Sequence, residues 1–288
     1  MPRLLVVLFI SLIFSGCNLI NPDEKEPTFL VIPEYSFNTN PAQGTNSEKF
    51  TEMWVYVNDN ILSITDVPAV IPIVTSEPVS IMVWPGIKNN GISTSRIYYT
   101  PVEPQYFTLQ PKPLQYDTIR PVFRYWDDLI IRQSDFDAST PSFVAQSANQ
   151  GQFSIVTDDA LVFEGSRSGL LKLEQGQDYL SFKMEENFDF TPGQSVFLEL
   201  NYSASAQFNI GVISMTSGNP VKDQVLIVNP TTADPTIPTW NKIYVDLGLV
   251  VQQNPNASYY ELFFEMFGTS ATRPVSLYLD NIKTVTFP

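Results

Sequence analysis

The run Ser195-Val-Phe-Leu-Glu-Leu-Asn-Tyr202 has neither glycine nor proline and interleaves large apolar side chains with Glu199 and Asn201. Successive side chains of a strand point to opposite faces, so a run of this kind suits half-buried or fully buried sheet. Tyr259-Tyr-Glu-Leu-Phe-Phe-Glu-Met-Phe267 has the same character. Around these two, shorter β-type runs fall at Phe153–Thr157, Ala160–Phe163, Gly169–Leu173, Tyr179–Met184, Phe208–Met215, Gln224–Val228, Lys242–Leu247 and Val275–Thr286. Short strands at near-regular spacing predict a sandwich or barrel, and roughly 160 residues accommodate an eight-stranded jelly roll.

Upstream the pattern is again β. Phe29-Leu-Val-Ile32 is stopped by Pro33. In Phe50–Asp59, Met53, Val55 and Val57 share one face, with Trp54 and Tyr56 on the other. Asn58-Asp59-Asn60 supplies turn chemistry and Ile61–Thr65 returns, which predicts a hairpin. Pro72 demotes Val70–Thr75 to a sheet edge. Val79–Trp84 reads as a core strand ended by Pro85-Gly86, and Arg96–Thr100, Tyr106–Gln110 and Thr118–Trp126 complete the set. No segment sustains a helical period beyond two turns. The expected fold is all-β: a small N-terminal β-sandwich over residues 28–126, then a jelly-roll sandwich over residues 127–288. Asp127-Asp128 and the polar stretch Ser139–Gly151 open the second unit. Tyr98, Tyr99, Tyr106, Tyr116, Tyr125 and Trp126 gather ahead of that boundary, as a packed interface between the two units would require.

Histidine is absent and Cys17 is the only cysteine. A histidine base, Ser-His-Asp or Cys-His constellations, His- or thiolate-ligated metals and internal disulfides are thereby excluded. Carboxylate chemistry, or oxygen ligation of a hard cation, remains. Glycoside hydrolysis needs two acids placed across one bond. The adjacent pairs Asp158-Asp159 and Glu185-Glu186 would point to opposite faces of a strand, so no catalytic activity is expected. The formal net charge of −14 argues against nucleic acid, which requires a basic face.

The chain opens with Met1-Pro2-Arg3 and the eleven-residue apolar run Leu4–Phe14, followed by Ser15-Gly16-Cys17. A basic start, a short apolar run and small residues before a cut describe a secretory signal peptide over residues 1–16. The run is well short of the ~20 residues that span a bilayer. Phe14-Ser15-Gly16-Cys17 resembles the lipobox of bacterial lipoproteins, although that family usually has leucine where Phe14 stands. The resemblance implies cleavage before Cys17, acylation of its thiol and a membrane partner reached through the lipid. Residues 17–27, with two prolines and three carboxylates, form the expected tether. Asp23-Glu24-Lys25-Glu26 resembles the acidic export signals of some Gram-negative surface lipoproteins and also suits a plain solvated spacer. The expected location is the outer membrane, facing the surface or the periplasm.

Four stretches then occur in order: Phe163-Glu-Gly-Ser-Arg-Ser-Gly169, Val196–Ala204, Trp240-Asn-Lys-Ile-Tyr-Val-Asp-Leu247 and Leu277-Tyr-Leu-Asp-Asn-Ile282. Together they resemble the galactose-binding-like jelly rolls, a superfamily that includes many carbohydrate-binding modules. The N-terminal sandwich resembles only the uncharacterised leading domains of surface lipoproteins. In the last strand, Val275, Leu277, Leu279 and Asn281 are expected on one face, with Ser276, Tyr278, Asp280 and Ile282 on the other. The resemblance implies that Asp280, with Asp137 of the opening element Ser134-Asp-Phe-Asp137, could hold a structural Ca²⁺; no cofactor is otherwise required. Asp280 could equally accept backbone or lysine hydrogen bonds, or face solvent. Trp240 and Trp126 are candidates to stack on a ligand, against the alternative that both pack at an edge or interface. The leading functional expectation is a non-catalytic, lipid-anchored binding module with a glycan ligand. A structural or assembly subunit of an envelope protein complex is the alternative, and a carboxylate-based glycoside hydrolase comes third.

Overall fold

A computed structural model describes residues 25–137, 141–268 and 273–288. The leader, Cys17 and residues 18–24 of the tether lie outside the described residues. The N-terminal unit runs β1 (Thr28–Ile32), β2 (Ser36–Phe37), β3 (Glu52–Val57), β4 (Asn60–Thr65), β5 (Ala69–Ile73), β6 (Val79–Lys88), β7 (Arg96–Tyr98), β8 (Gln105–Leu109), β9 (Tyr116–Thr118) and β10 (Val122–Phe123). The second unit runs β11 (Ile130–Ser134), β12 (Phe143–Ala145), β13 (Gln152–Val156), β14 (Ser168–Leu173), β15 (Tyr179–Met184), β16 (Val196–Ala204), β17 (Phe208–Met215) and β18 (Val221–Val228). It closes with β19 (Asn241–Asp246), the short helix α1 (Gly248–Gln253), β20 (Tyr259–Phe267) and β21 (Val275–Thr286).

The architecture is all-β. In the first unit a sheet ordered β4-β3-β6-β7, with β8 also on β6, packs against β5-β1-β9, and β10 pairs with β2. The second unit is a two-sheet sandwich, β13-β14-β21-β16-β19 against β12-β15-β20-β17-β18. β21 is its axis: β14 and β11 lie end to end along one side and β16 lies along the other. In β16 every residue is buried. Val196, Leu198, Leu200, Tyr202 and Ala204 enter the jelly-roll core, whereas Phe197 joins the core of the N-terminal unit together with Tyr244 and Val285. The N-terminal unit thus covers the outer face of this sheet, which is why the alternation of Ser195–Tyr202 is only partial.

Several local expectations need correction. Val79–Trp84 does not end at Pro85-Gly86, because β6 continues to Lys88. Pro85 accepts from Tyr99 N through its carbonyl oxygen, so its missing N–H would point to the same side, into the gap between β8, which begins opposite Val83, and β7, which ends opposite Gly86. Thr118–Trp126 is not one strand: Pro121 separates β9 from β10, and the two join different sheets. Ala160–Phe163 is a turn, fixed by Ala160 N donating to Asp158 Oδ1 at 3.0 Å and Leu161 N donating to Asp158 O at 2.7 Å. β11 and β12 occupy the opening of the second unit, where no strand was expected. Asn281 has φ of 46° at an irregularity where the β16–β21 register shifts, so Ile282 joins Leu277 and Leu279 in the core instead of facing away from them. Of the clustered tyrosines, Tyr99 and Tyr125 enter the seam between the units, while Tyr98, Tyr106 and Tyr116 are exposed.

Candidate functional site

Alternation along β15, β17 and β20 sorts their side chains. Leu180, Phe182, Phe208, Ile210, Tyr260, Leu262, Phe264 and Met266 turn into the core. What remains outside is a lattice fixed by register: Tyr179 is opposite Phe267, Ser181 opposite Glu265, and Lys183 opposite Phe263. On the far side of β20, Asn209 sits opposite Glu265 and Gly211 opposite Phe263. A Cβ on Gly211 would lie 2.1 Å from Phe263 Cζ, so the bare backbone lets the ring lie across β17.

The outer face is polar and organised around two ion pairs. Lys183 Nζ donates to both oxygens of Glu261, at 2.7 and 2.9 Å. Lys222 Nζ pairs with Glu265, donates to Gln146 Oε1 at 2.7 Å and lies 4.4 Å above the Phe263 ring. Tyr179 also donates to Glu265. Burial alone would raise the Glu265 carboxyl, but the Lys222 and Tyr179 donors bring it below its ordinary range. Two depressions indent this face. One, of about 540 Å³, is bordered by Gln146, Tyr179, Lys183, Lys222 and Glu261; the other, of about 500 Å³, by Asn209, Gln224, Ile227 and Phe267. Both fall within the ~300–1,000 Å³ typical of small-ligand sites. Tyr179 and Phe267 form a tilted ring pair at 5.3 Å, and Phe267 is 56 % exposed. The face therefore offers exposed ring surface beside fixed amides and paired charges, the combination that accepts a hydroxylated ring.

The residues singled out in the sequence lie elsewhere. Trp126 donates from Nε1 to Thr100 O at 3.0 Å and is half-buried. Trp240 packs on Phe163 and Tyr278, with ring centroids at 5.4 and 6.2 Å, and its Nε1 has no hydrogen-bond partner. Neither borders the two depressions. The lattice residues were missed because Lys183, Lys222, Glu261 and Glu265 each look like an ordinary strand charge until register brings them together.

Asp137 and Asp280 do approach the same loop. Asp137 accepts from Ser166 N and, at 2.5 Å, from Ser166 Oγ; Asp280 accepts from Ser168 Oγ at 2.5 Å and from Asn281 N at 2.7 Å. Burial raises the Asp280 carboxyl to about 6 against the lowering effect of these donors, and the Asp137 charge pushes the same way as burial. The donor set is oxygen only, as a hard cation requires, and Asp280 is fully buried with no cationic partner within salt-bridge distance among the described residues. No group of three or more acidic side chains is placed to hold a metal ion among the described residues, so serine hydroxyls and backbone oxygens would have to supply the remaining ligands.

No protein-family model matches the chain, and no curated protein is detectably similar to it. Solved structures match parts of the chain. One is the enzymatically active domain of tailspike protein 4 of bacteriophage CBA120, at 16 % identity and TM-score 0.35; the match covers 55 % of this chain and only 19 % of that one. A family 29 carbohydrate-binding module is 10 % identical with TM-score 0.33, over 55 % of this chain and 91 % of that one. The K1 cleaved adhesin domain of Lys-gingipain from Porphyromonas gingivalis is 14 % identical with TM-score 0.38, over 55 % and 99 % of the two chains. Carbohydrate-binding modules of families 61 and 22 occur among the others.

Proposed function

We propose that the protein is a lipid-anchored glycan-binding protein of the outer membrane, with its ligand on the outer face of the β12-β15-β20-β17-β18 sheet. The observation that carries this reading is the ring pair of half-buried Tyr179 and exposed Phe267 beside the Lys183–Glu261 and Lys222–Glu265 pairs. Sugar rings present C–H faces to aromatic surface and hydroxyls to planar polar groups, and the lattice holds both kinds of partner in one register. Cys17 carries the lipid in this reading, and Asp137 and Asp280 share a Ca²⁺ that pins the loop Glu164–Ser168 to β21. Retention on immobilised polysaccharides tests the proposal. Tyr179→Ala with Phe267→Ala is expected to abolish retention of any polysaccharide that the unaltered protein binds. Retention unaffected by both changes, in a folded variant, would overturn the assignment of this face.

One observation favours a second reading, an assembly subunit of an envelope complex. β4 is an edge strand on which Ile61, Leu62 and Ile64 are all exposed, and an unpaired apolar edge is a template for another chain. Stoichiometric capture of one envelope protein, lost when Ile61 and Ile64 become lysine, would select this reading.

A further inference from the structure

A cleft of about 490 Å³ opens between the two units, bordered on one side by Lys49, Lys88 and Asn90 and on the other by Tyr202, Asn229 and Asn241. Its charge is opposite to that of the molecule. The chain has thirty acidic and sixteen basic residues, yet three lysines and no aspartate or glutamate border this cleft. Lys242, the third, is taken up by Glu199. Lys49 and Lys88 have no carboxylate within salt-bridge distance among the described residues. Glu48, next in sequence, is held away by Tyr35 OH at 3.0 Å and Phe50 N at 2.7 Å. Arg96, opposite Lys88 on β7, is shared between Glu52 and Asp66. Burial and the Lys88 charge both pull Lys49 below its ordinary range, as expected of two ammonium groups that lack an anion.

Both lysines are held in place by the second unit. Lys49 N donates to Tyr244 OH at 2.9 Å, and its ammonium reaches across the cleft to Asn241 Oδ1. Lys88 ends β6, and the turn that follows docks on β19 through Asn90 N to Tyr244 O at 3.0 Å and Asp246 N to Asn90 Oδ1 at 2.8 Å. Around the two cations stand the amides of Asn90, Asn229 and Asn241 and the hydroxyls of Thr51 and Ser93, with Ile92 and Ile227 as apolar wall. Uncompensated cations ringed by amides and hydroxyls select an oxyanion carried on a hydroxylated, partly apolar body.

We infer that this interdomain cleft binds an acidic saccharide, its carboxylate or sulfate group held by Lys49 and Lys88. The cleft meets the depression beside Phe267 only at Ile227 and shares no residue with the lattice of β15 and β20, so this site stands whether or not that face binds glycan. Isothermal titration with a uronate oligosaccharide, a sulfated oligosaccharide and a neutral oligosaccharide of equal length tests it. At least one acidic ligand should bind, more weakly as NaCl rises, with the neutral ligand at least tenfold weaker at this site. Lys49→Gln with Lys88→Gln should reduce acidic-ligand affinity at least tenfold while the protein stays folded, since neither side chain forms an ion pair and the Lys49 ammonium gives up one hydrogen bond, to Asn241. Tyr179→Ala with Phe267→Ala should leave acidic-ligand affinity intact. The inference is overturned if no acidic oligosaccharide binds, or if the lysine variant binds as well as the unaltered protein. Displacement by inorganic sulfate at the same concentration as the oligosaccharide would also overturn it, reducing the site to a bare oxyanion hole.

Discussion

Lys242 Nζ lies 2.9 Å from Glu199 Oε2 at the seam between the two units, with both side chains closed to solvent. Tyr99 and Tyr125 of the N-terminal unit each donate to Glu199 Oε1 at 2.6 Å, and Lys283 Nζ donates to Tyr125 OH at 3.3 Å. Removing one member of a buried ion pair leaves the other charge stranded and costs about 3–5 kcal/mol, whereas removing both costs far less. Glu199→Gln is accordingly expected to destabilise the protein by about 3–5 kcal/mol, and Glu199→Gln with Lys242→Met by clearly less than the sum of the single changes. Urea unfolding of the four proteins measures the coupling; additive losses would contradict it.

The same cluster sets a pH dependence. Burial pulls the Lys283 ammonium down to about 8 against the upward pull of Glu199, with the Lys242 charge adding to the lowering. Between its folded value near 8 and its ordinary 10.5, the unfolded chain holds a proton that the folded chain has released, so stability rises with pH in that window. Above pH 10 the buried Tyr99 and Tyr125 act in the other direction, because their ionisation is pushed well above 10 by burial and Glu199. Guanidinium unfolding should show stability increasing from pH 8 to pH 10, and Lys283→Met should remove most of the increase, the remainder coming from Lys49. At the acid end, burial alone would raise Glu199, but Lys242, Lys283 and the two phenols hold it at about 2. Its contribution is complete above 4.5 and disappears as pH falls toward 2.

Gly211→Ala places a methyl group 2.1 Å from Phe263 Cζ and 2.5 Å from Asp223 O. The backbone oxygen cannot yield as the ring can. Overpacking of this kind costs about 1–3 kcal/mol, and displacement of Phe263 should also move Lys222 off its ring. Thermal unfolding together with polysaccharide retention reads both effects, and unchanged values for both would show that the bare backbone is not needed.

If Asp137 and Asp280 share a Ca²⁺, EGTA should lower the melting temperature, and Asp280→Asn should abolish the EGTA effect. An identical melting temperature with and without chelator disposes of the cation.

If Cys17 carries a lipid, Cys17→Ala should leave both units folded while the protein moves from the membrane fraction to the soluble one. Incorporation of labelled fatty acid into the Cys17→Ala variant would count against lipidation at this position.

The hairpin, the edge and the two-sheet layout were legible because each rests on local chemistry. Asn58 and Asp59 adopt φ of 48° and 64° between β3 and β4, as their short polar side chains allow. Pro72 sits in β5, at the edge of its sheet. Where the sequence misled, the deciding partner was distant. Pro85 is tolerated because of where β7 and β8 begin and end, and Asn281 reverses the alternation because of a register shift opposite Glu199 and Asn201. The candidate site was hardest to foresee. Lys222 and Glu265 are more than forty residues apart and meet only through strand pairing, and Lys49 faces Asn241 only after the two units have closed.

β21 draws Ile130–Ser134 and Ser168–Leu173 to one flank and Val196–Ala204 to the other, and its Val285 completes the hydrophobic interior of the N-terminal unit. Ile130 pairs with Thr286 across more than 150 residues. The second unit therefore cannot close before residues 275–286 are available, the first lacks Val285 from its interior until then, and pairings so distant in sequence form slowly. Any shortening of β21 should therefore cost both units at once, the second through its central strand and the first through Val285.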